Sequence, residues 1–177
     1  MGEGLGLNLA GADLAGSDFD AIPAGTYRCE VVKLEMKKTK GSEGSVLPAG
    51  TPMINAQFKV LDETKEDGDG NEVKVANRRV FRQLIIAPAK VGGKAYEHKK
   101  TMDRILGQFF KCVGYSEDEI LSGDFDPDFD EIKGRELLVV VAQKKKWGTK
   151  DEDNIKDNEV KGFKPLSESG NGTPALV

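Results

Sequence analysis

The sequence predicts an all-β protein with one main helix, and three patterns carry this prediction. Twenty-one glycines among 177 residues, many of them within Gly/Asp/Asn clusters, indicate frequent turns. Five stretches show the alternating or continuous apolar pattern of strands, whereas one stretch repeats apolar residues at helical spacing. At this length the chain can enclose the core of one domain.

The five strands are predicted at residues 26–38, 53–62, 77–87, 136–143 and 155–165. In the first strand the apolar phase changes after Val31, which is typical of a β-bulge. In the second strand Ile54, Ala56, Phe58 and Val60 alternate with polar residues, so one face is expected in the core and the other in water.

The helix is predicted at residues 98–113, where the apolar stripe ends before Gly114. A capping box at Ser116 and Glu119 predicts a short second helical turn. Three strands, a helix and two strands in this order predict a five-stranded Greek-key barrel of the OB-fold type, with the helix between strands three and four. The barrel is expected at residues 20–166, between a flexible arm (1–19) and a disordered tail (167–177).

Composition narrows the cellular context. The first residues carry neither a basic segment nor a long apolar stretch, which is unlike a signal peptide. No apolar stretch reaches the length of a membrane-spanning helix. Cys29 and Cys112 are too few for a disulfide framework or a zinc site. The prediction is a cytoplasmic protein without membrane contact.

A lysine-rich segment around the single tryptophan suggests the function. Lys144, Lys145 and Lys146 directly precede Trp147, and Lys150 follows. Lysines neutralise phosphates and an aromatic ring stacks on bases, as single-stranded nucleic acids require. The alternative is a solvated charge run beside a tryptophan that covers one end of the barrel.

The predicted fold extends this surface, because OB-folds bind oligonucleotides across strands two and three, between the first–second and fourth–fifth loops. The chain carries a net charge of −4, but its basic residues gather at residues 33–40, 78–82, 94–104 and 144–150, and all but the third of these stretches belong to the predicted surface. The predicted nucleic-acid-binding residues are Lys37, Lys38, Lys40, Gln57, Lys59, Arg79, Phe81, Lys144, Lys145, Lys146, Trp147 and Lys150.

Two other functions are alternatives to nucleic-acid binding. Asp124, Asp126, Asp128 and Asp130 offer carboxylates to a metal-dependent nuclease, but they alternate along one short proline-containing loop without a general base or phosphate cradle. The acidic turn at residues 67–71 lacks the spacing of an EF-hand. The sequence therefore predicts no metal, no cofactor and no enzymatic activity. The second alternative is a structural or partner-binding barrel that works through its acidic surface.

The chain also resembles phage-encoded single-stranded DNA-binding proteins. The resemblance rests on loose strand patterns over about residues 20–166. These patterns are Gly25-Thr26-Tyr27-Arg28-Cys29-Glu30-Val31, Phe58-Lys59-Val60-Leu61, Arg79-Val80-Phe81, Gly134-Arg135-Glu136-Leu137-Leu138-Val139, Asn158-Glu159-Val160 and Phe163-Lys164-Pro165.

The resemblance implies an OB-fold that coats exposed single strands during phage replication and recombination, in the cytoplasm of a bacterial host. Single-stranded DNA is the implied partner. Phage or host replication and recombination proteins are further candidates, and a homo-oligomer stays open. The chain departs from the pattern in one respect, since residues 167–177 contain only Glu168 where bacterial and related phage single-strand binders carry an acidic tail.

Overall fold

The computed structural model describes residues 21–41, 47–145, 148, 150 and 156–168. The predicted arm at residues 1–19 and residues 169–177 of the predicted tail lie outside the described residues. Along the described chain the elements are β1 (Gly25–Lys38), β2 (Pro52–Val60), β3 (Thr64–Glu66), β4 (Glu72–Lys74), β5 (Arg79–Ile85), β6 (Lys90–Val91), β7 (Lys94–Ala95), α1 (Lys99–Cys112), α2 (Glu117–Ile120), α3 (Phe129–Ile132), β8 (Glu136–Lys145), β9 (Lys156–Lys164) and a 3-10 turn (Leu166–Glu168).

The protein is mostly β, and its main feature is a five-stranded antiparallel sheet in the order β5–β2–β1–β8–β9. All five strands lie within a few residues of the positions predicted from the sequence, which confirms those predictions. The main helix α1 comes between β5 and β8 in the chain. None of the described helices is long and apolar enough to cross a membrane.

The central strand β1 serves two partners because it contains a bulge. Its first half pairs with β8 and its longer second part pairs with β2. The register with β2 shifts between Val31 and Lys33, which confirms the predicted bulge. As a result, Val31 and Leu34 are both buried although they are three residues apart. Lys33, Glu35 and Lys37 are therefore left in the opposite phase, on the outer face.

The core contains a cluster of aromatic rings packed between the sheet and α1. The ring centroid of Phe58 lies 6.0 Å from that of Phe109 and 5.4 Å from that of Phe163. Phe109 and Phe163 are 5.3 Å apart, so α1 contacts β2 and β9 through one cluster. The five strand residues predicted to be inside are all buried, namely Phe58, Val60, Leu84, Val139 and Val141. Burial of such side chains supplies most of the stability of a domain of this size.

The strands β5 and β9 are the two edges of the sheet. Within the described residues no backbone ladder runs between them, so the structure shows a five-stranded sheet, whereas the prediction was a closed or partly open barrel. A side chain bridges the gap, because Arg82 Nη1 donates to the Val160 carbonyl at 2.8 Å. The two edges are thus neighbours in space without a ladder of their own.

Several short elements were not predicted. The hairpins β3–β4 and β6–β7 lie between the predicted strands and helix, and α3 falls in the acidic stretch that was interpreted as a loop. The predicted turn at residues 67–71 is confirmed, since Asp67 Oδ1 accepts from the backbone N–H groups of Asp69 and Asn71, both at 2.9 Å. The predicted capping box at Ser116 and Glu119 is confirmed as well.

Candidate functional site

The outer face of β2 and β5 brings together four of the residues predicted to bind nucleic acid. Because side chains alternate along a strand, every second cross-strand pair points to the same side. In the β2–β5 register Gln57 lies opposite Phe81 and Lys59 lies opposite Arg79. These two pairs are adjacent on one face, and the next pair on this face is Asn55 with Gln83.

The neighbouring strand β1 adds charge to this face. Lys33 lies opposite Gln57, Glu35 opposite Asn55 and Lys37 opposite Met53. Nearer the other end of the face, Glu30 lies opposite Lys59. We call this surface the polar face. It comprises Glu30, Lys33, Glu35, Lys37, Asn55, Gln57, Lys59, Arg79, Phe81 and Gln83.

Phe81 is the unusual member of the polar face, since 64% of it is exposed. Its neighbours along the chain show why the sequence puts it there. Val80 and Leu84 are buried, and the alternation of the strand places Phe81 on the opposite side. The result is an apolar ring that faces solvent among amides and cations, which is the arrangement that base stacking uses.

A concavity of about 290 Å³ lies beside Phe81. Residues of all three strands line it, namely Lys33, Glu35, Asn55, Ala56, Gln57, Phe81, Arg82 and Gln83. Two of these residues, Asn55 and Arg82, carry a buried side-chain atom without a hydrogen-bond partner among the described residues. Buried polar atoms of folded proteins are nearly always paired, so these two need an explanation.

The charges on the polar face partly neutralise one another. Glu35 pairs with Lys37 at 3.2 Å and with Lys33 at 3.5 Å, and Glu30 lies 3.7 Å from Lys59. The hydrogen bond from Lys37, with the positive charges of Lys37 and Lys33, lowers the pKa of Glu35 below its ordinary value of 4.5. Four cations (Lys33, Lys37, Lys59 and Arg79) face two carboxylates, so the polar face is positive within an acidic chain.

Among the other predicted lysines, Lys38 and Lys40 lie toward one end of the polar face, and Lys144 and Lys145 lie toward the other. Lys38 is exposed at the end of β1, opposite Pro52, where alternation directs it away from the side that Lys37 occupies. Lys40 is exposed in the connection that follows. Because Gly25 pairs with Val141, the end of β8 with Lys144 and Lys145 extends beyond the start of β1, at the opposite end of the face.

The lysine–tryptophan segment is only partly described. Lys144 lies opposite Asp157 and Lys145 opposite Lys156, and all four are exposed, as is Lys150. Lys146 and Trp147 lie outside the described residues, so their proposed contacts stay a prediction.

Sequence reasoning missed three charged members of the polar face, Lys33, Glu30 and Glu35. The signal for Lys33 and Glu35 was the phase change in β1, which places both on the side opposite Leu34. Lys33, Glu35 and Lys37 also follow one another at a spacing of two along β1, so strand alternation places them on one side, where they pair.

The acidic stretch that suggested a nuclease has a structural role. Asp128 caps α3, because its carboxylate accepts from the backbone N–H of Asp130 at 2.9 Å. Phe125 packs its ring 5.0 Å from Phe110 and 5.1 Å from Tyr115. In the part of the chain that the structure describes, no three His, Cys, Asp or Glu side chains cluster as metal ligands would.

The protein is therefore mostly β, and its polar face carries an exposed aromatic ring among cations and amides. Residues 11–174 match a protein family described as "Protein of unknown function (DUF669)", and the chain belongs to this family. No curated protein matches the sequence closely enough to count as a relative.

Proposed function

We propose that this protein is a non-catalytic single-stranded DNA-binding protein that coats and protects exposed strands. The observation that carries the proposal is the polar face, where Phe81 is exposed between the amide of Gln57 and the cations Lys59 and Arg79. Cations hold the phosphates of a single strand and an aromatic ring accepts any base by stacking, so this combination binds DNA with little dependence on sequence.

The strand order supports an OB-fold. In that fold five strands form a Greek-key barrel whose nucleic-acid face lies on strands two and three. The second and third strands of the five-stranded sheet here are β2 and β5, which carry Gln57, Lys59, Arg79 and Phe81. The contact between Arg82 and Val160 brings the third strand next to the fifth, as a barrel requires.

The two lysine-bearing ends extend the path that a strand would take. In the proposal, Lys37, Lys38 and Lys40 hold phosphates at one end, and Lys144 to Lys146 with Lys150 hold them at the other. Trp147 stacks on a further base. The resemblance to phage single-strand binders supports a role in phage replication or recombination, in the cytoplasm of a bacterial host. Phage or host replication proteins and a second copy of the chain are candidate partners.

The proposal is tested by titrating a fluorescently labelled oligo-dT into the protein and measuring anisotropy. We expect saturable binding accompanied by quenching of the emission of Trp147, the single tryptophan of the chain. Arg79→Ala is expected to weaken binding, whereas Lys111→Ala, on α1, serves as the matched control. Anisotropy that stays unchanged at low salt would exclude single-strand binding and favour the partner-binding alternative.

Degradation of the oligonucleotide tests the remaining hypothesis, that the protein is a metal-dependent nuclease. Incubation with Mg²⁺ or Mn²⁺ is expected to leave the strand intact. Cleavage that depends on the metal would revive the nuclease hypothesis, and Asp124→Asn with Asp126→Asn would locate the activity in the loop before α3.

A further inference from the structure

An apolar groove of about 520 Å³ lies on the side of the sheet opposite to the polar face. Met36 on β1 and Ile54 on β2 line this groove, and they are cross-strand partners. Because side chains alternate along a strand, both point away from the side that Glu35 and Asn55 occupy. Ile86, directly after β5, completes the part of the groove that the sheet contributes.

Two other elements complete the apolar groove. Helix α1 contributes Leu106 and Phe110, and the stretch that leads into α3 contributes Phe125 and Phe129. The rings of Phe110 and Phe125 contact each other, with their centroids 5.0 Å apart. Met36 is 51% exposed, so the groove presents apolar surface to solvent. Such a surface favours an apolar occupant.

The N-terminal segment (residues 1–20), which lies outside the described residues, has the composition of such an occupant. Residues 4–12 contain no charged side chain. Within them Leu5, Leu7 and Leu9 alternate with a glycine and an asparagine, so an extended backbone places three leucines on one side. This is the pattern of an extended peptide that inserts alternate side chains into pockets of its partner.

We propose that Leu5, Leu7 and Leu9 of one copy dock in the apolar groove of a neighbouring copy, so that the N-terminal segment links the copies head to tail. Asp126 is the one charged side chain among the described residues that line the groove, which suits an uncharged segment. The segment and the groove are different surfaces, so each copy offers one of each and the links build an open chain of copies.

The place where the segment joins the fold explains why the groove belongs to a neighbour. Ile22 is buried, and its backbone N–H donates to Asn158 Oδ1 at 2.9 Å, close to the start of β1. Along β1, Met36 lies about 36 Å from Gly25. Even fully extended, the chain from Leu9 to Ile22 spans only about 43–47 Å. The groove of the same copy would use most of this length, whereas a neighbouring copy can approach freely.

Complementary variants test the link without DNA. The segment variant carries Leu5→Ser, Leu7→Ser and Leu9→Ser, and the groove variant carries Met36→Glu. Sedimentation velocity at a series of protein concentrations measures the mass of each sample. We expect the wild type to gain mass as its concentration rises and each variant alone to remain a single copy. An equimolar mixture of the two variants is expected to form pairs, because it restores one intact segment and one intact groove.

The controls are chosen so that a loss of association is not a loss of folding. The segment variant changes none of the described residues, and the Met36 side chain is half exposed. Leu121→Glu is the matched control for Met36→Glu, since Leu121 is a large apolar residue that is 73% exposed and does not line the groove. This control is expected to associate like the wild type, as is a chain that lacks residues 169–177.

Each contrary outcome has a distinct meaning. A wild type that remains a single copy at every concentration would overturn the link and leave the proposed DNA binding standing. Association that persists in Met36→Glu would place the interface elsewhere, and association lost with residues 169–177 would make the C-terminal residues the occupant. Variants that fail to pair when mixed would also overturn docking between copies. Self-association without any binding of oligo-dT would instead overturn the proposed function and leave the link.

Discussion

Phe81 and Phe58 show how two phenylalanines on adjacent strands serve different purposes. Phe81 is 64% exposed on the polar face, whereas Phe58 is fully buried. We predict that Phe81→Ala weakens binding of oligo-dT by about 1–3 kcal/mol, the value of one base–aromatic contact. The melting temperature of the Phe81→Ala variant is expected to stay close to that of the wild type, because the exposed ring contributes little to the core.

Phe58→Ala provides the contrast. Truncation of a buried phenylalanine costs about 3–5 kcal/mol of the free energy of unfolding. Thermal denaturation and anisotropy titration of both variants measure the two effects. If Phe81→Ala lowered the melting temperature and left the affinity unchanged, Phe81 would be a structural residue and its proposed stacking on bases would be wrong.

A second prediction concerns alkaline pH. Burial, reinforced by the negative charge of Asp62, raises the pKa of Tyr27 to about 12 and that of Cys29 to about 12, from ordinary values of 10.0 and 9.0. The folded state therefore keeps these protons at a pH where the unfolded chain has released them. The contribution of these two groups to the free energy of unfolding is therefore fully present below about pH 9, and it is lost as the pH rises toward about 12.

Urea unfolding at several pH values across this window measures the loss. Tyr27→Phe keeps the ring but removes the hydroxyl that donates to the Pro23 carbonyl. This variant is expected to be less stable at neutral pH and to lose less stability between about pH 9 and pH 12 than the wild type. An unchanged dependence on pH in Tyr27→Phe would show that other groups control the alkaline transition.

At the scale of elements, a side-chain hydrogen bond joins the two edge strands β5 and β9. Arg82 is in register with buried Ala56, and its guanidinium donates to the Val160 carbonyl at 2.8 Å. Arg82→Met keeps much of the aliphatic stem and removes the donor. We predict a loss of about 1–3 kcal/mol in the free energy of unfolding, because the carbonyl on β9 loses its partner.

Hydrogen exchange shows which part of the sheet loses stability in this variant. In Arg82→Met the backbone amides of β9 are expected to exchange faster, whereas those of the β1–β2 ladder keep their protection. Arg79→Ala, three residues earlier on the exposed side of β5, is the control and is expected to leave stability within about 0.5 kcal/mol of the wild type. Uniformly faster exchange in Arg82→Met would indicate a global effect and not a local seam.

The elements that could be predicted are those whose apolar periodicity is local. The phase change after Val31 was enough to predict the bulge, and the stripe on α1 was enough to predict the helix. The hairpin β6–β7 has only two residues in each strand, too few for any periodicity. The helix α3 was missed because Pro127 and alternating aspartates indicate an extended loop, while the cap at Asp128 and the burial of Ile132 decide otherwise.

At the scale of the whole molecule, the candidate site could be predicted only where it follows from strand alternation. Gln57, Lys59, Arg79 and Phe81 were assigned to one face, and the register places them in two adjacent pairs. The carboxylates of Glu30 and Glu35 were not included. Glu30 pairs with Lys59 on the neighbouring strand, which is a long-range contact, whereas Glu35 pairs with Lys33 and Lys37 on its own strand. Trp147, whose lysine-rich surroundings suggested the function, lies outside the described residues.

Charge also acts at the scale of the molecule. The chain carries a net charge of −4, while four cations on the polar face outnumber its two carboxylates. This separation lets an acidic protein attract a polyanion to one surface and repel it from the others. Binding of a polyanion to the polar face should therefore depend strongly on the salt concentration.

The last prediction gives that dependence a slope. Each phosphate neutralised on a single strand contributes about −0.7 to the slope of log K against log salt concentration, so four to six engaged cations give roughly −3 to −4. Arg79→Ala is expected to flatten the slope by about 0.7, and Lys145→Ala to do the same if the end of β8 contacts the strand. The control Lys111→Ala is expected to keep the slope of the wild type. A slope near zero in the wild type would mean that the polar face does not meet phosphates, and Phe81 would then need a ligand other than DNA.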